Sequence, residues 1–296
     1  MFDKKKQVFY NVLIKIFMEK TIMRVLAVND ISCIGRCSLT VTLPILSACG
    51  VECDVLPTAL LSTHTGGFEN YTFRDLTDEI PSILAHWKTL GIKFDCICSG
   101  YLGNIKQIDL VTQIKREFLK ETGIFIVDPV MGDSGKLYTG FSAPYVEKMR
   151  KLCRLADYIL PNATEACYLA GEPYPLDENS LPAVFKRLQA LCPRPVVTGV
   201  SLDGAIRICY ADEQGELKTY SHENVEGFFC GAGDVFASAF AGALLKGRSD
   251  VDAVRLASDF TFASILRSSK EVEDRRFGLN FEAEIFPFLQ NLNAFR

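Results

Sequence analysis

Short β-type runs and helical patterns alternate along most of this chain, and that alternation restricts the fold more than any other feature. The runs RVLAVN, VECDVLPTAL, FDCICSG, IFIVDPV, DYILP and RPVVTGV are separated by helical patterns around 38–49, 79–90, 105–121, 142–155, 163–170 and 180–191. Parallel neighbours need a crossover of a dozen residues or more, which a helix supplies, and such sheets are buried on both faces. The pattern therefore predicts βαβ units and a mostly parallel sheet in a three-layer α/β sandwich. The rhythm then changes. AIRICYADEQGELKTYSHENV, residues 205–225, reads as two strands around a Gly-containing turn, a late β-hairpin, and helices follow from 231, at 250–267 and at 281–292.

A chain of 296 residues, 48% hydrophobic, is long enough for two domains at ~150 residues each. No Pro/Ser/Gly-rich tract, charge block or repeat marks a boundary, so one domain over 23–296 is expected. Thirty-two basic against 36 acidic residues leave a net charge of −4 and no basic patch, which argues against nucleic acid as a partner. The 11 cysteines are odd in number and lie mostly in apolar runs, as expected of small buried hydrophobes in the reducing cytoplasm. Cys33/Cys37 and Cys49/Cys53 lack the CxxC spacing or nearby histidine of a zinc site. Residues 1–22 have a basic start and an apolar middle broken by Asn11 and Lys15. They make a poor signal peptide, are too short to span a membrane, and are expected to be a dispensable extension before the strand that starts at Met23.

Ligands of open α/β sheets sit beyond the carboxyl ends of the strands. There this chain carries Asn29/Asp30, STHTGG 62–67, SGYLGN 99–104, DPVMGDSG 128–135, PNATE 161–165 and TGVSLDG 198–204. The first turn holds one glycine where a dinucleotide fingerprint needs three, and GDSGKL has the wrong spacing for a Walker A loop. GAGD, residues 231–234, is a better anion site. Gly231, Ala232 and Gly233 leave backbone N–H groups open at a helix N-terminus, where Asp234 is either a chemical acid or a plain first-turn stabiliser.

Late GAGD opening a small-residue helix, PNATE and VVTG on strand exits, and the earlier DPVMGD together resemble the ribokinase superfamily. LLSTHTGG, SGYLGN and DPVMGD resemble its vitamin B6 kinases in particular. The resemblance implies ATP-dependent phosphorylation of the 5′-hydroxymethyl group of pyridoxal, pyridoxamine or pyridoxine. Hydroxymethylpyrimidine phosphorylation and a non-catalytic nucleotide-binding role remain the alternatives. It assigns Asp234 as base, Gly231, Ala232 and Gly233 as anion hole, and Asn162 and Glu165 to hydrated Mg²⁺ and phosphates. Asn162 and Glu165 equally fit a helix capping pattern. Asp128 is assigned to magnesium-bound water or to a turn before Pro129. His64, Thr65 and Tyr101 are expected at the pyridine ring, with core packing as the alternative for His64 and Tyr101. Thr198 and Gly199 are expected on the nucleotide side, or in a tight turn. Asp30 replaces a serine common in these kinases and would favour a cationic vitamer, unless it caps a helix starting near Ser32. The resemblance also implies a homodimer, leaves room for a monovalent cation such as K⁺, and makes GDSGKLYTGF, residues 132–141, a candidate lid. His86 and His222 match nothing in it and are expected at the surface.

Overall fold

The computed structural model describes residues 22–271 and 274–294, so nearly all of the expected extension over 1–22 lies outside the described residues. The strands are β1 (Arg24–Ile34), β2 (Glu52–Thr63), β3 (Phe73–Asp75), β4 (Phe94–Ser99), β5 (Leu119–Val127), β6 (Gly132–Asp133), β7 (Lys136–Leu137), β8 (Tyr158–Ile159), β9 (Arg194–Leu202), β10 (Ala205–Ala211) and β11 (Leu217–Glu223). The helices are α1 (Leu39–Ala48), α2 (Ile80–Thr89), α3 (Ile105–Phe118), α4 (Ala143–Cys153), α5 (Ala163–Ala170), α6 (Leu181–Leu191), α7 (Ala232–Leu245), α8 (Asp250–Glu271) and α9 (Ile285–Ala294). Nine strands form one sheet in the order β11-β10-β9-β8-β5-β4-β1-β2-β3. β2, β1, β4, β5, β8 and β9 run parallel, while β3, β10 and β11 are antiparallel to their neighbours. The expected three-layer sandwich with a late hairpin is borne out.

Successive strand residues face opposite layers, so both faces must be apolar. Leu26, Val28, Phe125 and Val127 join a core with α2 to α6. Val25 and Ile126 join the other core with α1, α7, α8 and α9. The small residues of α7 allow close packing. A Cβ on Gly242 would lie 2.5 Å from Cys49 Sγ, so the α1–α7 contact depends on its absence.

Several strands run further than their apolar patterns. β1 and β2 pair past Asn29 through a register shift between Asn29 and Ile31, so Asn29, Asp30, Ser62 and Thr63 lie inside strands rather than after them. The short strand β3 then pairs with Ala59–Leu61 on the sheet edge. α3 stops at Phe118 instead of 121, because Leu119 is already extended and pairs with Phe94. β9 continues to Leu202 and turns through Asp203 (φ 50°) and Gly204 (φ 75°) into β10. His86 is exposed as expected. His222 is not: its ring stacks on Phe262 at 4.3 Å and meets Asp259 at 3.3 Å. Six cysteines are buried, whereas Cys33 is exposed and Cys37 and Cys230 are half-buried. Among the described residues no helix is long and apolar enough to cross a membrane.

Candidate active site

The site gathers where β1, the loop into α1 and the mouth of α7 meet. Gly231 precedes α7 at φ 78°, and a Cβ there would lie 2.3 Å from the Arg36 carbonyl oxygen. A side chain at 231 is therefore excluded by both backbone angle and space. α7 begins with the Val235 N–H donating to the Gly231 carbonyl, and the N–H groups of Ala232 and Gly233 meet no acceptor among the described residues. Asp234 stands in this first turn. Its Oδ2 accepts from Ser38 N at 2.8 Å and from Cys37 Sγ at 3.5 Å, and its Oδ1 accepts from Asn29 Nδ2 at 3.2 Å. Burial raises its pKa above the ordinary carboxylate range despite these donors.

Asn29 belongs to no motif of the sequence, yet it organises this site. Its Oδ1 accepts from Tyr101 N at 2.8 Å and Asp30 N at 3.0 Å while its amide holds Asp234. A Cβ on Gly100 would fall 2.4 Å from Asn29 Nδ2, so SGYLGN owes a glycine to this contact. Asn29, Ser99, Asp128, Asp234 and Ser238 help to wall a cavity of ≈ 30 Å³ below the helix mouth.

A second group forms on α5. Asn162 caps the helix by accepting from Glu165 N at 2.9 Å, and Glu165 Oε2 accepts from Asn162 N at 2.9 Å, so the capping pattern is realised. Glu165 Oε1 also accepts from Met131 N at 2.9 Å and Gly132 N at 3.4 Å. Burial outweighs these bonds and pushes its pKa up to about 8. Asp128 is different. No donor among the described residues reaches its carboxylate, and burial followed by Glu165 and Asp234 raises its pKa well above the ordinary value. Among the described residues no three His, Cys, Asp or Glu side chains form a metal cage. The two carboxylates supply oxygen donors of the kind that a hard divalent cation takes.

The residues expected at the ring are spread unevenly. Asp30 lies within β1, not at a helix cap, and α1 begins after Ser38. It is 5% exposed and accepts from Ser38 Oγ at 2.5 Å. Burial, with Asp234 nearby, pushes its pKa up to about 6 against the Ser38 bond. Tyr101 is half-buried, its ring 5.8 Å from that of Phe141. Burial and Asp30 push its hydroxyl up to about 12. His64 is buried, its Nε2 meeting the Arg276 carbonyl and its Nδ1 accepting from Gly66 N at 3.1 Å. Thr65 is exposed beside it. Thr198 N donates to the Pro161 carbonyl at 2.9 Å, which ties it to the α5 start. Gly199 (φ 67°) bends β9; these two residues are inside a strand rather than in a tight turn.

The 132–141 segment is a β6–β7 hairpin tied to α5: Gly135 N donates to Thr164 Oγ1 at 2.9 Å and Asn162 Nδ2 to the Gly132 carbonyl at 2.8 Å. Its first half is thus anchored beside the carboxylates. The chain end also reaches the site. Arg36 N donates to the Phe277 carbonyl at 2.9 Å, which brings residues 276–278 against the β1–α1 loop. Their distance in sequence left no local signal.

Residues 45–277 match the sequence model of phosphomethylpyrimidine kinase. The chain belongs to the phosphomethylpyrimidine kinase family. One member of similar structure, from Bacteroides thetaiotaomicron, is described as a "putative phosphomethylpyrimidine kinase" in an orthorhombic form with pyridoxal. It superimposes at a TM-score of 0.86 with 35% identity, over 90% of this chain and 96% of that one. Pyridoxal kinase from Lactobacillus plantarum gives a TM-score of 0.86 with 31% identity, over 93% and 100% of the two chains. A Caenorhabditis elegans protein named "Putative pyridoxal kinase" is 29% identical over 207 residues, and the match spans 64% of that protein's length. The resemblance to vitamin B6 kinases is borne out by these relatives. The matched stretch begins after Asn29, Asp30, Cys37 and Ser38.

Proposed function

We propose that this chain transfers the γ-phosphoryl group of ATP to the 5′-hydroxymethyl group of a B6 vitamer. The observation that carries the reading is Asp234, held by three donors beside the open N–H groups of Ala232 and Gly233. Phosphoryl transfer needs an in-line hydroxyl, a proton acceptor and fixed dipoles for the charge on the phosphate oxygens. Asp234 takes the hydroxyl proton, and its raised pKa makes it a better acceptor than an exposed aspartate. The amides of 231–233, at the positive end of α7, hold the phosphate. Where magnesium accompanies ATP, Asp128 and Glu165 are the residues to hold it, and it would draw charge from the phosphate oxygens. A monovalent cation is assigned no residue. Thr198 lies next to Asn162, which supports a nucleotide-side role for this part of β9. The family's own description supports a second acceptor, a phosphomethylpyrimidine. An ADP-release assay over pyridoxal, pyridoxamine, pyridoxine, hydroxymethylpyrimidine and ribose tests the reading. Turnover of a B6 vitamer is expected, and ADP release with none of the vitamers overturns it.

Asp30 gives the proposal a selectivity. With a pKa of about 6 it is mostly ionised at neutral pH and presents an acceptor with charge to a cationic aminomethyl arm or protonated ring. The expected preference for pyridoxamine over pyridoxal falls as pH drops through about 6, where the carboxylate gains its proton. Asp30→Ser should lower the ratio of kcat/KM between the two substrates; an unchanged ratio removes the selectivity role.

The proposal also includes cytoplasmic location, a homodimer and a dispensable N-terminus. The 11 cysteines are all free, which suits a reducing compartment. A chain starting at Met23 is expected to keep the turnover and melting temperature of the full chain, and loss of either would show that the preceding residues support the domain.

A further inference from the structure

Two cysteines face each other across the active-site mouth, and phosphoryl transfer uses neither. Cys37 lies on the loop between β1 and α1, and Cys230 is the residue before the anion-hole glycine. The residue after Cys230 packs on the Cys37 backbone, since a Cβ on Gly231 would sit 3.8 Å from Cys37 Cα. Each thiol stands among the groups that set the other's acidity. Cys230 Sγ lies 3.4 Å from His64 Nδ1, and Cys37 Sγ lies 3.5 Å from Asp234 Oδ2. Both residues keep part of their surface exposed, which gives a small oxidant an approach.

We propose that Cys37 and Cys230 are an oxidative modification site for hydroperoxides, closing to a disulfide that silences the site. The chemistry divides between them by environment. The bond from Cys37 lowers the Cys230 pKa to about 6 against burial, with help from His64. Cys37 goes the opposite way, raised by Cys230, burial, Asp234 and Asp30. Cys230 is therefore the thiolate that reacts and Cys37 the thiol that resolves, as the dependence of reactivity on thiolate content requires. The Cys230 thiolate attacks one oxygen of hydrogen peroxide, the O–O bond breaks, and hydroxide leaves as the sulfur becomes a sulfenic acid. Cys37 sulfur then attacks that sulfur, the S–O bond breaks, and water leaves. The two thiols lose two electrons and two protons, and one peroxide becomes two waters. Closure removes the Cys37 donor from Asp234 Oδ2 and pins residue 230 to the β1–α1 loop beside the phosphate amides.

The loss of turnover rests on the kinase reading, but the cross-link does not, so peptide mass spectrometry separates the two. The full chain is treated with graded hydrogen peroxide, digested without reductant, and assayed before and after dithiothreitol. A peptide joining Cys37 to Cys230 is expected, with ADP release reduced at least about tenfold and restored by the reductant. Each variant is compared with its own untreated rate. Cys37→Ser should leave a sulfenic acid on Cys230 that dimedone traps, and Cys230→Ser should lose the fast inactivation. A peroxide-inactivated chain with no Cys37–Cys230 peptide, or oxidation confined to exposed Cys33, overturns the proposal. Should either variant fail to fold, the wild-type peptide map decides by itself.

Discussion

Asp234→Asn is expected to lower kcat by about 10²–10⁴-fold while leaving the fold intact, which corresponds to about 3–5 kcal/mol of transition-state stabilisation. Asparagine keeps the size of aspartate and can still accept from Ser38 N, but its amide cannot take the hydroxyl proton. It also removes a carboxylate whose pKa burial has raised, so the melting temperature should not fall far. The pH profile supplies an independent check. Because Asp234 must be ionised to act, the acid limb of kcat/KM should lie above the ordinary value of 3.8. Near-full turnover in a folded Asp234→Asn chain would return Asp234 to a helix stabiliser and leave the proposed base unassigned.

Glu165 carries the second large effect, and on stability first. Its carboxylate is 2% exposed and takes N–H groups from Met131, Gly132 and Asn162, so Glu165→Ala orphans three amides beside the β6 hairpin. Each buried unsatisfied group costs about 1–3 kcal/mol, and partial relaxation suggests a total of about 3–6 kcal/mol. For a domain of this size that is a fall of roughly 10 °C or more in Tm. Glu165→Gln retains one carbonyl acceptor and should melt between the two. Its turnover distinguishes a further role: a cation-holding carboxylate predicts at least about a tenfold loss in the glutamine variant, since a neutral amide is a poor ligand for a hard cation. An alanine variant that melts with the wild type would reject the cap, and a fully active glutamine variant would reject the cation role.

The two halves of this site were unequally legible. Asn162 and Glu165 stand three residues apart and satisfy each other, so local spacing was enough to indicate their bonds. GAGD was legible for a similar reason: a helix mouth needs unblocked amides, and only small residues leave them open. Asp30 shows the opposite case. Its strand, its partner Ser38 and its shifted pKa come from β1 pairing on past Asn29 and from burial, neither of which a window of a few residues records.

The sequence by itself determined the layers, the parallel sheet, the late hairpin and the α7 mouth, because strand and helix periods and helix-terminal chemistry act over short spans. Only the tertiary structure decided which side chains hold Asp234. Asn29 and Ser38 reach it across 205 and 196 residues, and Cys37 across 197. It also decided that the Arg276 carbonyl closes on His64, 212 residues away. Those contacts follow from strand order, and strand order is fixed by how whole layers pack over both faces of the sheet, which no local pattern encodes.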